Sequence, residues 1–332
     1  MKAAVWNSEH RLDVVERPDP SPKPGWIRVA VDSVGICGTD LHFFRGSFPS
    51  PAGLIPGHEV GGVVDAWGDD VADAPEPGTA VAVEPLTGCG SCGACGEGRA
   101  NRCATRTLFG VSARGGLAGY MTVPADCVHP LPDGVEASAG SMAEPLAVCV
   151  RGVRLGGVGL GQRVAVVGAG SIGLLTVLAA RAAGAREVLV TARHPHQRDL
   201  AVQLGGTVVD RLPDGLDVVL ETVGGTGETL APCVAASRAG GTVVLLGVFE
   251  GNALLPALDA ATREIRIVGS NCYSRVDHDR DFVAGLGLLA DHRDAVASLV
   301  THRFALDQVN EAFGTAADKA TGSIKVVIRP GG

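Results

Sequence analysis

Long hydrophobic runs are missing from this 332-residue chain. No apolar stretch approaches the roughly 18 residues that a membrane-spanning helix requires, so a membrane is not an expected partner. Charge is sparse: 19% of residues are charged against 46% hydrophobic, a balance that excludes the disordered and coiled-coil classes and leaves a soluble globular protein. Basic clusters are also absent. The 28 Lys and Arg are scattered and outnumbered by 36 Asp and Glu, for a formal net charge of −8, so a phosphate backbone finds no electrostatic footing and nucleic acid is excluded as a partner. The opening Met1-Lys2-Ala3-Ala4-Val5-Trp6 has neither a positive segment leading into an apolar stretch nor an Arg-rich amphipathic pattern, which makes a cytoplasmic location the default expectation. There is no internal repeat and no low-complexity linker, and the length suits about two domains.

What is abundant is glycine, 47 residues, about twice the ~7% background and a sign of tight turns and close backbone approaches. Cysteine is present in an odd number, nine, and its placement matters more than its count. Cys89, Cys92, Cys95 and Cys103 fall within fifteen positions, whereas Cys37, Cys127, Cys149, Cys233 and Cys272 are dispersed. A disulfide framework suits a short secreted chain, so metal ligation is the better reading of the cluster.

Up to about residue 145 the pattern is short and β-like: Trp26-Ile27-Arg28-Val29-Ala30-Val31 alternates, Gly61 to Val64 and Thr79 to Val83 read as strands, and Pro and Gly collect between them. This predicts an antiparallel, barrel-like unit. The grammar then changes. Arg163 to Val167 is a continuous apolar run, a glycine-rich turn follows, and Ile172 to Ala183 is rich in Ala and Leu. Strand-like runs recur at Glu187–Val190, Asp217–Leu220, Thr242–Leu246 and Ile265–Val268, with a helix expected over Gln197–Leu204. Runs buried on both faces and spaced by helices predict a parallel sheet covered on each side. After residue 272 come helical stretches to about Ala290 and over Leu306–Ala317, then a terminal strand Ile324–Ile328.

Three constellations carry chemistry. Cys89-x2-Cys92-x2-Cys95-x7-Cys103 is interleaved with glycines that let the loop wind around an ion, and four thiolates satisfy a tetrahedral structural zinc closed to water. Iron-sulfur ligation also uses four cysteines, but nothing else in the chain suggests electron transfer. Gly168-Ala169-Gly170-Ser171-Ile172-Gly173 stands between a predicted strand and helix, the setting in which such glycines bring backbone against a pyrophosphate at a helix N-terminus; the alternative is a plain turn. The third set is dispersed: Cys37-Gly38-Thr39-Asp40-Leu41-His42, Gly57-His58-Glu59 and Glu144-Pro145. One soft sulfur, one imidazole and carboxylates are how a catalytic zinc keeps an exchangeable position. Taken singly, Cys37 reads as a small buried hydrophobe, His58 as a satisfied loop histidine and Glu144 as a helix N-terminal carboxylate.

In this order and with these gaps, the fragments resemble the zinc-dependent medium-chain dehydrogenase/reductase superfamily, the alcohol, sorbitol and threonine dehydrogenase group. Its GHExxGxxxxxGxxV signature reads Gly57-His58-Glu59, Gly62, Gly68 and Val71, and the four-cysteine lobe and the glycine fingerprint match as well. The resemblance implies an α/β protein in two domains. Residues 1–145 and 272–332 would form a GroES-like catalytic domain with a zinc lobe at about 88–104, and 146–271 a Rossmann coenzyme domain, with the active site in the cleft. Two zinc ions per chain are implied, one structural and one catalytic. Cys37 and His58 resemble ligands of the catalytic zinc, and Glu59 and Glu144 occupy two carboxylate positions, either of which coordinates in polyol and threonine dehydrogenases. Alcohol dehydrogenases of the liver type place Cys where Glu144 stands, so the chain leans toward the polyol branch. Asp40 would orient His58, Thr39 sits at the hydroxyl that takes the substrate proton, and His42 where the relay reaches solvent. Gly38 replaces a basic residue of some relatives, and Lys325 resembles the C-terminal basic residue that can meet the pyrophosphate instead. Coenzyme contact is implied for Gly168, Gly170, Ser171, Ile172, Gly173, Thr222, Leu246 and Gly247.

The expected activity is hydride transfer between nicotinamide and a secondary alcohol or ketone on a small hydroxylated molecule such as a polyol, sugar, cyclitol or amino alcohol. A dehydrogenase of simple apolar alcohols is the rival among enzymes; a coenzyme-binding protein without catalysis is the rival from another class. Strand Val188–Val190 runs into Thr191-Ala192-Arg193-His194 with no carboxylate before Asp199. An acidic residue there would bind the adenosine ribose of NAD, so NADP is expected over NAD, with Arg193 and Arg198, and His194 and His196 nearby, holding the 2′-phosphate. NAD used without its acidic partner is the alternative. Relatives are usually dimers or tetramers, so a homo-oligomer is expected.

Overall fold

The computed structural model describes every residue except 73, 277, 278 and 332. Its contacts divide the chain into two compact units, Met1–Glu144 with Ser274–Gly332, and Pro145–Tyr273.

The first unit is organised by the strand Trp26–Gly35, whose alternation buries Ile27, Val29 and Val31 while the intervening side chains stay partly exposed. That period-two pattern commits one face to the core. Around it the sheet runs Val300–Ala305, Lys325–Arg329, Trp26–Gly35, Glu59–Trp67, Ala80–Val83 and Val128–Pro130, with Tyr120–Pro124 also paired to Trp26–Gly35. The expected antiparallel pairing is found throughout except between Val300–Ala305 and Lys325–Arg329, which run parallel. A parallel pair needs a long crossover, and the helix Val309–Ala317 with its flanking turns supplies one. The return of the C-terminal strand sets Val327 and Ile328 against Gly35 and Val34, so residues near 35, 59 and 325 meet at one end of three adjacent strands.

The second unit is a six-stranded parallel sheet in the order Thr207–Val209, Glu187–Thr191, Arg163–Val167, Leu216–Glu221, Ser237–Leu245, Arg266–Gly269. Val164, Ala165, Val166, Val218, Val219, Leu220, Val243 and Val244 are all buried, as strands covered on both faces require. The outermost strand, Thr207–Val209, is not apparent from the sequence because three residues are too few to show a period. Strand order reverses between Arg163–Val167 and Leu216–Glu221, the switch point outside which ligands bind in open α/β sheets. The fold is thus a mixed, mainly antiparallel β unit joined to a doubly wound α/β unit.

Candidate metal and coenzyme sites

Cys37 caps the short helix Gly38–Phe44, and Asp40 in its first turn accepts the Cys37 backbone N–H through Oδ2 at 3.0 Å. This reciprocal cap fixes the sulfur at the helix entrance. Glu59 opens the strand Glu59–Trp67 directly opposite Gly35. A Cβ on Gly35 would lie 2.0 Å from Glu59 Oε2; only glycine there leaves room for the carboxylate. Glu144 arrives by a different route. The 3-10 turn Ala137–Met142 packs on Gly61, where a Cβ would meet the Ala137 carbonyl at 2.4 Å, and the helix that follows carries Glu144 in its first turn, a position favourable to a carboxylate.

Cys37 Sγ, a ring nitrogen of His58 and a carboxylate oxygen of Glu59 lie within 4.8 Å of one another. Glu144 is outside that three-donor cluster, yet buried and close enough to interact electrostatically with His58, Glu59 and Asp40. Burial first, then the charges of Glu59 and Asp40, push its carboxyl up to about 7 against the pull of His58 and Lys325. Burial would lower His58, but Asp40, Cys37 and Glu144 outweigh it and hold the imidazole well above its ordinary value. His58 Nδ1 faces Asp40 Oδ1 at 3.8 Å, and both atoms are buried without a hydrogen-bond partner. The pocket therefore holds surplus negative charge around one soft sulfur and one imidazole. This donor set fits a zinc ion, which would keep the imidazole neutral and the carboxylates ionised.

Lys325 departs from its expected role at the pyrophosphate. Its ammonium is 2% exposed and donates to Glu59 Oε2 at 2.6 Å, Glu59 Oε1 at 2.8 Å and the Ile36 carbonyl at 3.2 Å. All three N–H groups are taken, and none is left for a phosphate. Burial acts to lower its pKa, but Glu59 raises it and keeps the ammonium charged. Glu59 in turn has both oxygens engaged, whereas no hydrogen bond to the Glu144 carboxylate is found among the described residues.

Thr39 and His42 are three apart on the helix Gly38–Phe44, hence on one face. Thr39 is partly exposed; His42 is buried and stacks on Phe48 at 4.9 Å.

The sulfurs of Cys89, Cys92, Cys95 and Cys103 also lie within 4.8 Å of one another. The backbone amide and hydroxyl of Ser91 and the amide of Cys92 lower the Cys89 thiol to about 5. The Gly90 amide pulls Cys95 down, but burial and the three neighbouring sulfurs push it up to about 11. Four thiols so close cannot all ionise without a cation. Four thiolates at this spacing fit zinc in a closed site.

In the second unit, Gly168 follows the strand Arg163–Val167 with φ +98, and a Cβ on Gly173 would lie 2.0 Å from the Gly168 carbonyl. Gly170 caps the helix Ser171–Ala182, in whose first turn Ile172 lies, and Ser171 Oγ is buried there with no partner among the described residues. Free amides and an orphaned hydroxyl at a helix N-terminus fit a pyrophosphate. Thr222 Oγ1 donates to the Val167 carbonyl at 2.8 Å, and the amides of Leu246 and Gly247 donate to Glu221. Thr191 Oγ1 accepts the Gly168 amide at 3.0 Å, a link the sequence did not indicate. Arg193 is exposed at the end of the next strand, and no hydrogen bond or ion pair of its own is found among the described residues. Arg198, expected beside it as a phosphate ligand, donates Nη1 to Asp210, just after the strand Thr207–Val209, at 2.9 Å and to the Ala192 carbonyl, and this pair is exposed. His194 and His196 stack at 5.5 Å.

The family model of the alcohol dehydrogenase GroES-like domain matches residues 23–133, and that of the zinc-binding dehydrogenases matches residues 171–290. A sorbitol dehydrogenase of Arabidopsis thaliana is 33% identical, over 93% of this chain and 89% of that protein. An L-idonate 5-dehydrogenase of Vitis vinifera is 32% identical over the same shares. Among solved structures, a zinc-binding dehydrogenase from Sinorhizobium meliloti, bound to NADP, superposes with a TM-score of 0.88 at 34% identity, covering 99% of both chains. The chain belongs to the zinc-dependent medium-chain dehydrogenase/reductase superfamily. Zinc and a nicotinamide coenzyme are accordingly its cofactors, and alcohol oxidation or carbonyl reduction its class of chemistry.

Proposed function

We propose that the protein interconverts a secondary alcohol and its ketone on a small polyhydroxylated substrate, with one catalytic and one structural zinc per chain and NADP as the preferred coenzyme. The observation that carries this reading is the convergence of Cys37, His58 and Glu59 within 4.8 Å, with Glu144 buried beside them. When bound, zinc polarises the substrate oxygen and the nicotinamide accepts or delivers the hydride. Cys37 and His58 would hold the ion. Glu144, free of the lysine that occupies Glu59, is the better placed carboxylate to complete the set. Asp40, whose Oδ1 faces His58 Nδ1 at 3.8 Å, is the carboxylate that would orient the ring. Thr39 accepts the hydrogen bond of the substrate hydroxyl and passes a proton along the helix face to His42, which gives it to solvent.

The polar substrate is supported by an acidic residue at position 144 and by relatives whose names are those of polyol and sugar-acid dehydrogenases. NADP is supported by the lack of a carboxylate in the sequence from Thr191 to Arg198 and by the NADP-bound relative. Self-association belongs to the same reading, as a dimer or tetramer: Arg266–Gly269 is an edge strand, and Leu254 and Leu258 are 82% and 79% exposed in the same unit. A cytoplasmic location agrees with the lack of any disulfide among the described residues.

Turnover with NADP and NAD across polyols, sugars, cyclitols, amino alcohols and simple apolar alcohols tests the reading. Polyhydroxylated substrates should give the highest kcat/KM, with NADP ahead of NAD. In Arg193→Asp, kcat/KM with NADP should fall about tenfold or more, the effect of one lost charge-assisted bond, while NAD stays within about twofold. A wild-type preference for NAD that ignores this substitution would remove Arg193 from the 2′-phosphate.

A further inference from the structure

We propose that Glu221 is a positioning residue for the coenzyme, a buried carboxylate that holds in advance the loop 223–229, against which the nicotinamide nucleotide lies; the proposal rests on the coenzyme reading above. Glu221 ends the strand Leu216–Glu221 at the switch point of the sheet and is fully buried. Its Oε1 accepts the amides of Val223 at 2.9 Å and Gly224 at 3.1 Å and the hydroxyl of Thr229 at 2.8 Å. Its own carbonyl accepts the amides of Leu246 at 2.8 Å and Gly247 at 3.0 Å. Its side chain thus fixes the loop after its own strand, while its backbone carbonyl, which any residue would supply, meets the loop after the neighbouring strand Ser237–Leu245.

The packing around it leaves little freedom. A Cβ on Gly247 would stand 2.5 Å from Glu221 Oε2 and 2.3 Å from the Gly224 amide, and Gly224 and Gly225 both turn with left-handed φ, +57 and +60. The next residue, Thr222, is bonded to the Val167 carbonyl, and a Cβ on Gly168 would lie 2.6 Å from Val223. The loop fixed by Glu221 is therefore the wall of the glycine turn itself. No Lys, Arg or His among the described residues forms an ion pair with this carboxylate. A carboxylate buried without a counter-ion is costly unless several donors converge on it. Here they all come from the loop 223–229. The return is a loop ordered before the coenzyme arrives, so that binding does not have to order it.

The test is coenzyme affinity in Glu221→Gln, which keeps the size of the side chain and removes the charge and one acceptor. Three quantities are read: the NADPH dissociation constant, kcat at saturating coenzyme, and Tm. Asp217→Asn is the control for mere stability. Asp217 lies on the same strand and accepts the Arg163 amide at 2.8 Å and the Arg238 guanidinium at 2.7 Å, but touches neither loop. Glu221→Gln should weaken NADPH about tenfold with kcat within about twofold, whereas Asp217→Asn lowers Tm without weakening the coenzyme. Should Glu221→Gln fail to fold, Thr229→Val removes a single donor and should weaken NADPH about threefold by the same reasoning. Affinity unchanged in the folded variants, or weakened equally by Asp217→Asn, would overturn this inference alone. A wild-type chain that binds neither coenzyme would overturn the coenzyme reading with it.

Discussion

Lys325 is a buried cation with one anionic partner within hydrogen-bond reach among the described residues, Glu59, and that partner belongs to the cluster of candidate zinc ligands. Removing one member of a buried ion pair strands the other in a medium that cannot solvate it. Lys325→Met should therefore destabilise the protein by on the order of 3–5 kcal/mol in urea unfolding, and adding Glu59→Gln should recover part of that loss; equal stability of wild type and Lys325→Met would show the pair to be dispensable. Cys37→Ala and His58→Ala should behave differently. Each would delete a proposed donor to the reacting metal, so turnover should disappear and zinc content fall by one ion per chain, with the melting transition largely retained. Variants with near-normal turnover and unchanged zinc would place the active site elsewhere. At this scale the sequence was only partly readable. Cys37, His58 and Glu144 each allow an ordinary structural explanation and gain meaning only as a set. The partner of Glu59 lies 266 positions away, and nothing in local pattern links the two. Glu221 was hidden for a similar reason: it reads as the polar end of a strand until the loops folded onto it are seen.

Elements were more legible where chemistry is local. The cysteine spacing confines four sulfurs to one loop, and the structure brings them within 4.8 Å; the glycine turn sits between the strand Arg163–Val167 and the helix Ser171–Ala182 because an apolar run on one side and an Ala/Leu run on the other leave it no other place. The strand Thr207–Val209 and the parallel pairing of Val300–Ala305 with Lys325–Arg329 were not legible. The first is too short for a period, and the second depends on where a crossover returns the chain. The cysteine lobe yields a prediction of its own. Its ligands have no site to converge on in the unfolded chain, so metal binding adds to folding free energy. Cys95→Ser or Cys103→Ser should lower Tm by several degrees and reduce soluble yield before it alters kcat in the surviving protein. Unchanged Tm with zinc content intact would remove the structural role.

For the whole molecule, division of labour explains why one chain carries two unlike units. The first unit carries the candidate donors, Cys37 at a helix cap, His58 and Glu59 at the start of a strand and Glu144 in the first turn of a helix, while the switch point of the second unit's parallel sheet is the proposed place of the dinucleotide. Neither alone suffices for hydride transfer, which requires a polarised substrate oxygen and a bound nicotinamide together. The central claim is that Cys37, His58 and a carboxylate hold a reacting zinc distinct from the ion of the cysteine lobe. Its most direct test is zinc per chain in the purified protein, followed with turnover as a chelator withdraws metal. Two ions per chain are predicted, with turnover lost as the first leaves and restored when zinc is returned, while the melting transition persists until the second is removed. A chain holding one zinc, confined to Cys89, Cys92, Cys95 and Cys103 and turning over at full rate, would contradict it.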